Sequence, residues 1–99
     1  MTRTKYPESK EILCLQADVN YTIFHLIGGR KMISSSTLKR YVESPNFKSF
    51  LQINRGTLVN PNYIRKVISI GNQKHIILNN GQEVLVSRRR LTVLDNLKN

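Results

Sequence analysis

Ninety-nine residues, 39% of them hydrophobic, suffice for one domain with a single modest core and exclude both a two-domain protein and a disordered chain. Sixteen Lys and Arg residues against six Asp and Glu residues give a formal net charge of +10, which favours a polyanionic partner: DNA, RNA or an anionic membrane surface. The sequence argues against a membrane partner and against secretion, because no apolar run approaches the ~20 residues of a spanning helix and no hydrophobic signal core follows the charged start.

The first segment, residues 1–10, is predicted to be a flexible basic leader, and the ordered domain is predicted to span residues 11–99. Residues 12–17 are largely apolar and are expected to form a buried strand. The single cysteine, Cys14, lies in this strand and is interpreted as a small core residue. Because one cysteine cannot form an internal disulfide, a reduced cytoplasmic compartment fits the composition.

Two further strands are predicted after a turn at residues 18–20, where Asp and Asn tolerate tight backbone geometry. Residues 21–27 alternate so that one face of the strand carries Thr22, Phe24 and Leu26. The glycine pair at 28–29 indicates a two-residue hairpin turn. Residues 30–33 are therefore expected to return as the third strand.

A short helix is predicted next, over residues 37–44, from apolar residues at the spacing i, i+3 and i+4. The three serines at 34–36 offer hydroxyl groups for its N-terminal cap, and Pro45 ends it. Beyond the helix, residues 50–53 predict a strand. Residues 54–57 predict a polar turn around a glycine, before a second apolar stretch.

The last third of the chain is expected to consist of hairpins and a final helix. Residues 67–70 and 75–78 flank one turn signal, and Asn80-Gly81 is a stronger one before residues 83–86. Ser87 is predicted to cap a helix that continues through Leu91, Leu94 and Leu97. About seven short strands, two short helices and no long crossover predict a mainly β fold with antiparallel pairing.

Few residues suit catalysis or metal binding. His25 and His75 lie in predicted strands fifty positions apart, have no metal-ligand spacing, and are interpreted as ordinary sheet residues. The six acidic residues are scattered without an acid–base pair, and the glycine turns do not form a phosphate-binding loop. We therefore predict no enzyme activity, no catalytic residue, no metal site and no cofactor.

Polar and basic residues gather instead in three connections. Arg88, Arg89 and Arg90 occupy the first turn of the final helix, where cations oppose the helix dipole at a cost of up to ~1 kcal/mol each. A phosphate group, or a base edge that an arginine reaches, would compensate for this. Arg55 lies in the turn at 54–57, and Asn20 precedes the second strand. Loops held by a rigid sheet are where binding residues concentrate.

Each of these candidates also has an ordinary structural interpretation. The arginine run can be a solvated basic turn, Arg55 an exposed turn residue, and Asn20 a residue that supplies turn geometry. Tyr21 can stack on a base or contact a phosphate, or it can lie half-buried in the sheet. The residues taken singly leave both interpretations open.

Four segments stand in a characteristic order along the chain. They are Ala-Asp-Val-Asn-Tyr at 17–21, Phe-Leu-Gln-Ile-Asn-Arg-Gly-Thr-Leu-Val-Asn at 50–60, Ile-Leu-Asn-Asn-Gly at 77–81 and Val-Ser-Arg-Arg at 86–89. Together, and with the short helix between the first two, they resemble the LytTR family, the DNA-binding output domain of many bacterial response regulators. The resemblance covers residues 12–97. It implies an elongated, mainly β domain that binds specific duplex DNA as a transcription regulator.

The resemblance also implies which residues contact DNA. Family members insert loops into the major groove at successive turns of the duplex and contact the minor groove between them. By position, base readout falls to the turn at 20–21, to Arg55 and to Arg89, with neighbouring residues near the DNA backbone. Asn54 stands where the family often has His, so the base preference is expected to differ. The full implied set is Asn20, Tyr21, Asn54, Arg55, Gly56, Arg88, Arg89 and Arg90.

Assembly and regulation follow from the same resemblance. Family members commonly use paired direct repeats, so we expect two copies per DNA site, as a homodimer on DNA or as separate copies. Members usually follow a phosphoacceptor receiver domain, whereas this chain begins at Met1 with only the short leader. We therefore expect a stand-alone regulator or a fragment, on which a sensor or receiver partner can act in trans.

Two other functions stay open. An RNA-binding module suits a basic β domain, but it calls for aromatic residues exposed on a sheet face, and the three Phe residues look like core. A protein-interaction module, such as an antagonist of a related regulator, would bind an acidic partner without tight DNA binding.

Overall fold

The computed structural model describes residues 7–91, and its elements alternate short strands with tight turns. The single α-helix among them, α1, spans Leu38–Val42. Four 3₁₀ turns precede β8, at Ser9–Glu11, Ile27–Gly29, Pro45–Phe47 and Pro61–Tyr63, and a fifth follows it at residues 88–91. The strands are β1 (Ile12–Asp18), β2 (Tyr21–Leu26), β3 (Lys31–Ser34), β4 (Leu51–Asn54), β5 (Thr57–Val59), β6 (Ile64–Ile70), β7 (Gln73–Leu78) and β8 (Glu83–Val86).

The strands form two sheets in which every neighbouring pair is antiparallel. The first sheet has the order β3-β2-β1-β5-β4, and the second has the order β6-β7-β8. The domain measures 51 × 24 × 23 Å along its principal axes. The prediction of an elongated, mainly β, antiparallel domain is therefore confirmed.

Strand β1 is the centre of the first sheet and is buried on both faces. Its first four residues are all inaccessible, and a register shift between Ile12 and Cys14 interrupts its pairing with β2. One face packs against α1 and the aromatic residues that follow it. On the other face, Leu13 and Cys14 pack against the second sheet, together with Ile53 of β4 and Val59 of β5. A strand covered on both sides needs the continuous apolar run that this segment has.

An aromatic cluster fills the core between the first sheet and α1. The ring of Phe24 lies 5.1 Å from that of Tyr41 and 6.2 Å from that of Phe47, edge to face in both cases. Phe47 meets Phe50 at 5.1 Å in the same geometry, which aromatic pairs prefer. The three Phe side chains are thus core residues, as the sequence predicted.

Two helix predictions differ from the structure. The helix begins one residue after Thr37, and the serines at 34–36 do not cap it, because Ser34 is the last residue of β3 and its hydroxyl contacts the Tyr41 hydroxyl. Of the predicted final helix, the described residues include only 88–91, which form a 3₁₀ turn, and the rest of that prediction lies outside the described residues. No helix in the described part of the chain is long and apolar enough to cross a membrane.

Two turn predictions also need correction. The β2–β3 connection is a three-residue 3₁₀ turn, Ile27–Gly29, and not the predicted two-residue turn. The Leu26 N–H donates to the Arg30 carbonyl, so the pairing between the two strands ends at these residues. In the β1–β2 turn, Val19 and not its Asp or Asn neighbour takes the left-handed conformation, with φ 57°. This conformation costs an L-residue roughly 1 kcal/mol or more, and a β-branched residue is an outlier there.

Asn60 ties the start of the described chain to the fold. Its side-chain amide donates to the carbonyls of Ser9 and Ile12, at 3.1 and 3.0 Å, while its Oδ1 accepts from the Asn62 N–H. The Tyr63 hydroxyl donates to the Lys10 carbonyl. These contacts hold residues 9 and 10 against the first sheet.

Cys14 is expected to be chemically inert in the folded protein. Its side chain is completely buried, and burial raises the pKa of the thiol from 9.0 to about 12, so almost no thiolate exists at neutral pH. A thiol reagent at pH 8 should leave the native protein unmodified over the time in which it fully modifies the protein in urea. Mass spectrometry of the two samples checks this, and rapid native modification would contradict the packing described.

Candidate nucleic-acid interface

Three connections meet at one end of the first sheet. Gln16 of β1 pairs with Thr57 of β5, and the Ala17 N–H donates to the Gly56 carbonyl at 2.8 Å, so the β1–β2 and β4–β5 turns are neighbours. The Ser87 N–H donates to the Ile53 carbonyl at 2.8 Å, which brings the final helical turn beside β4. We call residues 18–21, 54–57 and 87–90 together the turn edge.

Asn54 fixes the shape of this edge. Its Oδ1 accepts from the Gly56 N–H at 2.9 Å, and its Nδ2 donates to the Leu85 carbonyl of β8 at 2.7 Å. One side chain therefore holds the β4–β5 turn closed and fastens it to the second sheet. The Gln52 amide adds a longer bond, 3.5 Å, to the Arg55 carbonyl. The backbone that carries Arg55 is thereby held from both sides.

Four arginines surround one open cleft of about 570 Å³, which is lined by Arg55, Ser87, Arg88, Arg89 and Arg90. The arginines at 55, 88 and 89 are exposed, and Arg90 is half-buried. The two ion pairs among residues 7–91 join Lys10 to Glu8 and His75 to Glu83, so neither uses an arginine of the cleft. Four guanidinium groups without an acidic partner in the described chain create a strong positive potential. Their donor forks match phosphate oxygens and the O6/N7 edge of guanine.

The charge of the turn edge is uneven. Asp18, exposed at the base of the β1–β2 turn, is the acidic residue of the edge and does not line the arginine cleft. A carboxylate repels phosphate but can accept a hydrogen bond from the N4 amino group of cytosine. The arginine side of the edge thus suits the DNA backbone and guanine, and the β1–β2 side suits base edges.

The predicted site residues fall into two groups on this edge. Arg55 and Arg88–Arg90 share the cleft, whereas Asn20 and Tyr21 lie in the adjoining turn, both exposed. Tyr21 is 51% exposed although it is the first residue of β2. Gly56 has a negative φ, and a Cβ there would meet only ordinary contacts at 3.7 and 3.9 Å, so the fold itself does not demand glycine.

Two residues of the turn edge were not among the candidate DNA-contacting residues predicted from the sequence. Asp18 and Val19 were interpreted only as turn residues, yet Val19 is 86% exposed and holds the strained position of the turn. The available signal was a β-branched apolar residue between Asp and Asn, in a place where turns favour Gly, Asn or Asp.

The histidines lie away from the cleft. The Nε2 atom of His25 is 2.9 Å from Gln16 Oε1, and Nδ1 of His75 is 2.8 Å from Glu83 Oε2. Among residues 7–91, no three His, Cys, Asp or Glu side chains come together in a way that could hold a metal ion.

His25 is expected to make the protein less stable in mild acid. Burial, and then the positive charge of Lys31, lower its pKa below 6.5, so the unfolded chain binds the proton more readily than the folded one. Stability should therefore fall as the pH drops through 6.5 towards the lower folded-state pKa. In His25→Gln that contribution disappears, while His75 is unchanged. Urea unfolding of both proteins at pH 7 and pH 5 measures the difference, and an equal loss in both would exclude His25 as its source.

Comparisons with known proteins identify the family and the fold. The sequence profile of the LytTr DNA-binding domain family matches residues 3–99. A similar solved structure is the LytTr DNA-binding domain of a protein described as a methyl-accepting/DNA response regulator from Bacillus cereus. It has 20% sequence identity and a TM-score of 0.72, over 89% of this chain and 81% of the other. A comparison with curated protein sequences gives no match.

Proposed function

The chain belongs to the LytTR family of DNA-binding domains, and from that premise we propose that it is a bacterial transcription regulator that recognises a specific sequence in duplex DNA through the turn edge. The observation that carries the proposal is the arginine cleft, where Arg55 and three successive arginines gather without an acidic partner among residues 7–91. The two sheets hold the backbone of these turns in place, so little backbone ordering remains to be done on binding.

In this proposal two of the arginines contact bases and the other two contact phosphates. Arg55 and Arg89, both exposed in the cleft, pair their guanidinium forks with guanine edges in the major groove. Arg88 and Arg90, on either side of Arg89, neutralise phosphates and fix the register of the protein on the duplex.

The other predicted residues support this readout. Asn20 and Tyr21 extend contact along the groove from the adjoining turn, Asn20 as a partner for adenine and Tyr21 towards a phosphate or base. Asn54, whose amide bonds Gly56 and Leu85, acts mainly by positioning Arg55. Gly56 lets the DNA backbone come close, which explains a glycine that the fold does not require.

The size of the domain suits contact with more than one groove. Its long axis measures 51 Å, and successive major grooves on one side of the duplex are ~34 Å apart. We further propose that two copies bind direct repeats, as a homodimer on DNA or side by side, in the cytoplasm and without a membrane partner or catalysis. A sensor or receiver partner would act in trans. Analytical ultracentrifugation that finds one protein per full-length site would overturn the two-copy arrangement.

An RNA-binding role has less support. Single-strand readers stack bases on aromatic side chains exposed on a sheet face, and Phe24, Phe47 and Phe50 are all buried here. Tyr21 is exposed, but it is the first residue of β2 and lies at the turn edge.

In vitro selection from a random duplex library tests the proposed function. We expect the purified protein, at about 150 mM salt where non-specific phosphate binding is weak, to enrich a short motif in two same-direction copies. Binding that vanishes as the salt concentration rises, without enrichment of any motif, would overturn sequence-specific recognition. It would favour the alternative of a module that binds an acidic protein partner.

A further inference from the structure

Val19 combines two unfavourable properties at the tip of the β1–β2 turn. Its side chain is 86% exposed to solvent, and its backbone φ of 57° lies in the region that β-branched residues tolerate least. Its neighbours Asp18 and Asn20 are residue types that adopt this conformation readily. The formation of the turn therefore does not explain a valine at this position.

The position of Val19 places it ahead of the arginine turn. The bond from the Ala17 N–H to the Gly56 carbonyl, 2.8 Å long, is the last backbone link between the two turns. Val19 lies two residues further on, which carries it up to ~7 Å beyond that link at ~3.3 Å per residue. This projection approaches the ~8.5 Å depth of the major groove.

The charge around Val19 indicates that, in a complex with DNA, this turn lies closer to bases than to phosphates. Asp18, exposed in the same turn, would be repelled by the phosphates at the rims of the groove. The arginines that attract phosphate line a cleft to which no residue of the β1–β2 turn contributes. A turn with this composition is best accommodated between the rims, where an apolar side chain meets the edges of base pairs.

We infer that Val19 is a specificity-determining residue whose isopropyl group contacts the C5-methyl group of a thymine in the major groove. The inference rests on the proposed function, sequence-specific binding of duplex DNA through the turn edge. The C5-methyl group distinguishes thymine in the major groove, and apolar side chains are the groups that recognise it. Strain kept at an exposed turn residue is typical of a functional site.

Two random duplex libraries test the inference, one synthesised with thymine and the other with uracil, which pairs identically but lacks the methyl group. The unmodified protein should prefer thymine about fourfold at one or more positions of its enriched motif, as expected for one buried methyl group, and lose that preference in the uracil library. Val19→Asn should show no such preference in either library, while its other base preferences are retained.

The matched control is Val67→Asn, which replaces a partly exposed valine on β6, away from the turn edge. It should keep the thymine preference. The melting temperature of Val19→Asn should be equal to or above that of the unmodified protein, because asparagine tolerates the positive φ. A fall in melting temperature together with the loss of preference would mean that valine serves the turn itself, which overturns the inference.

The remaining outcomes separate the two proposals. A motif enriched with the same thymine preference in both libraries would overturn the role of Val19 and leave sequence-specific binding intact. Failure of the unmodified protein to enrich any motif in either library would overturn the proposed function and this inference with it.

Discussion

Replacing both Arg55 and Arg89 with alanine is expected to abolish discrimination between the selected duplex and one mismatched at the two base pairs that these arginines read. Each bidentate arginine–guanine contact contributes ~1–3 kcal/mol of discrimination, so the pair should contribute ~2–6 kcal/mol. The two side chains line the same cleft, so their effects are expected to be coupled, and the single variants complete the double-mutant cycle. Arg89→Ala alone should cost ~1–3 kcal/mol and relax specificity at one base position. Fluorescence anisotropy with matched and mismatched duplexes measures both quantities.

The control for this double variant is Arg65→Ala combined with Lys66→Ala. These exposed residues lie on β6, the strand of the second sheet farthest from β8 and its contact with β4, and their removal lowers the net charge by the same amount. Arg65 also donates to the Asn79 carbonyl at 2.6 Å, so the melting temperature of the control checks that it remains folded. The control should weaken binding to both duplexes slightly and equally, since the charge that it removes lies away from the turn edge. Unchanged discrimination in the Arg55/Arg89 variant, or an equal loss in the control, would show that the reading surface lies elsewhere.

Replacing Phe24 with alanine should destabilise the domain by ~3–5 kcal/mol. The side chain is fully buried and touches the rings of Tyr41 and Phe47, so its removal leaves a cavity between the sheet and α1. The free energy of unfolding of such a domain is only ~5–15 kcal/mol, so this substitution should remove a large part of it. Urea unfolding followed by circular dichroism gives the change in the free energy of unfolding.

Ile33→Ala is the companion variant for Phe24→Ala. Ile33 lies on β3, the strand paired with β2, but is 67% exposed, so its truncation should change the free energy of unfolding by no more than ~0.5 kcal/mol. A loss below ~1 kcal/mol in Phe24→Ala would contradict the packing of the aromatic cluster. The fraction of Phe24→Ala that remains folded should still discriminate between the two duplexes, because Phe24 is a buried core residue and not part of the turn edge.

Local patterns predicted the strands well, because their information lies within a few residues. The alternation of Thr22, Phe24 and Leu26 defined the buried face of β2, and the Asn80-Gly81 turn signal defined the start of β8. The start of β6 was predicted three residues late, at position 67 instead of Ile64. Arg65 and Lys66 are exposed at the edge of the sheet, so they carry no apolar signal.

The parts of the candidate site could be selected from the sequence, but their arrangement could not. The arginine run and the Arg55 turn could be selected because they are unusual in their own segments. Their assembly around one cleft depends on the bond between Asn54 and Leu85, 31 residues apart, and on the pairing of β1 with β5. Such contacts leave no mark in a local pattern. The conformation of Val19 could not be predicted, since sequence preference assigns it to Asp or Asn.

The bond from Asn54 to Leu85 also sets the earliest point in translation at which a nascent chain can assemble the arginine cleft. A ribosome adding ~5–20 residues per second needs about 2–6 s to translate the 31 residues between these two partners. During that interval the β4–β5 turn lacks its anchor, and Arg88–Arg90 have not yet been synthesised. The first sheet can begin to pair, but the arginine cleft cannot close. A chain interrupted before Leu85 would therefore retain much of its positive charge. It would lack the arginine cleft through which we propose that the protein recognises a specific DNA sequence.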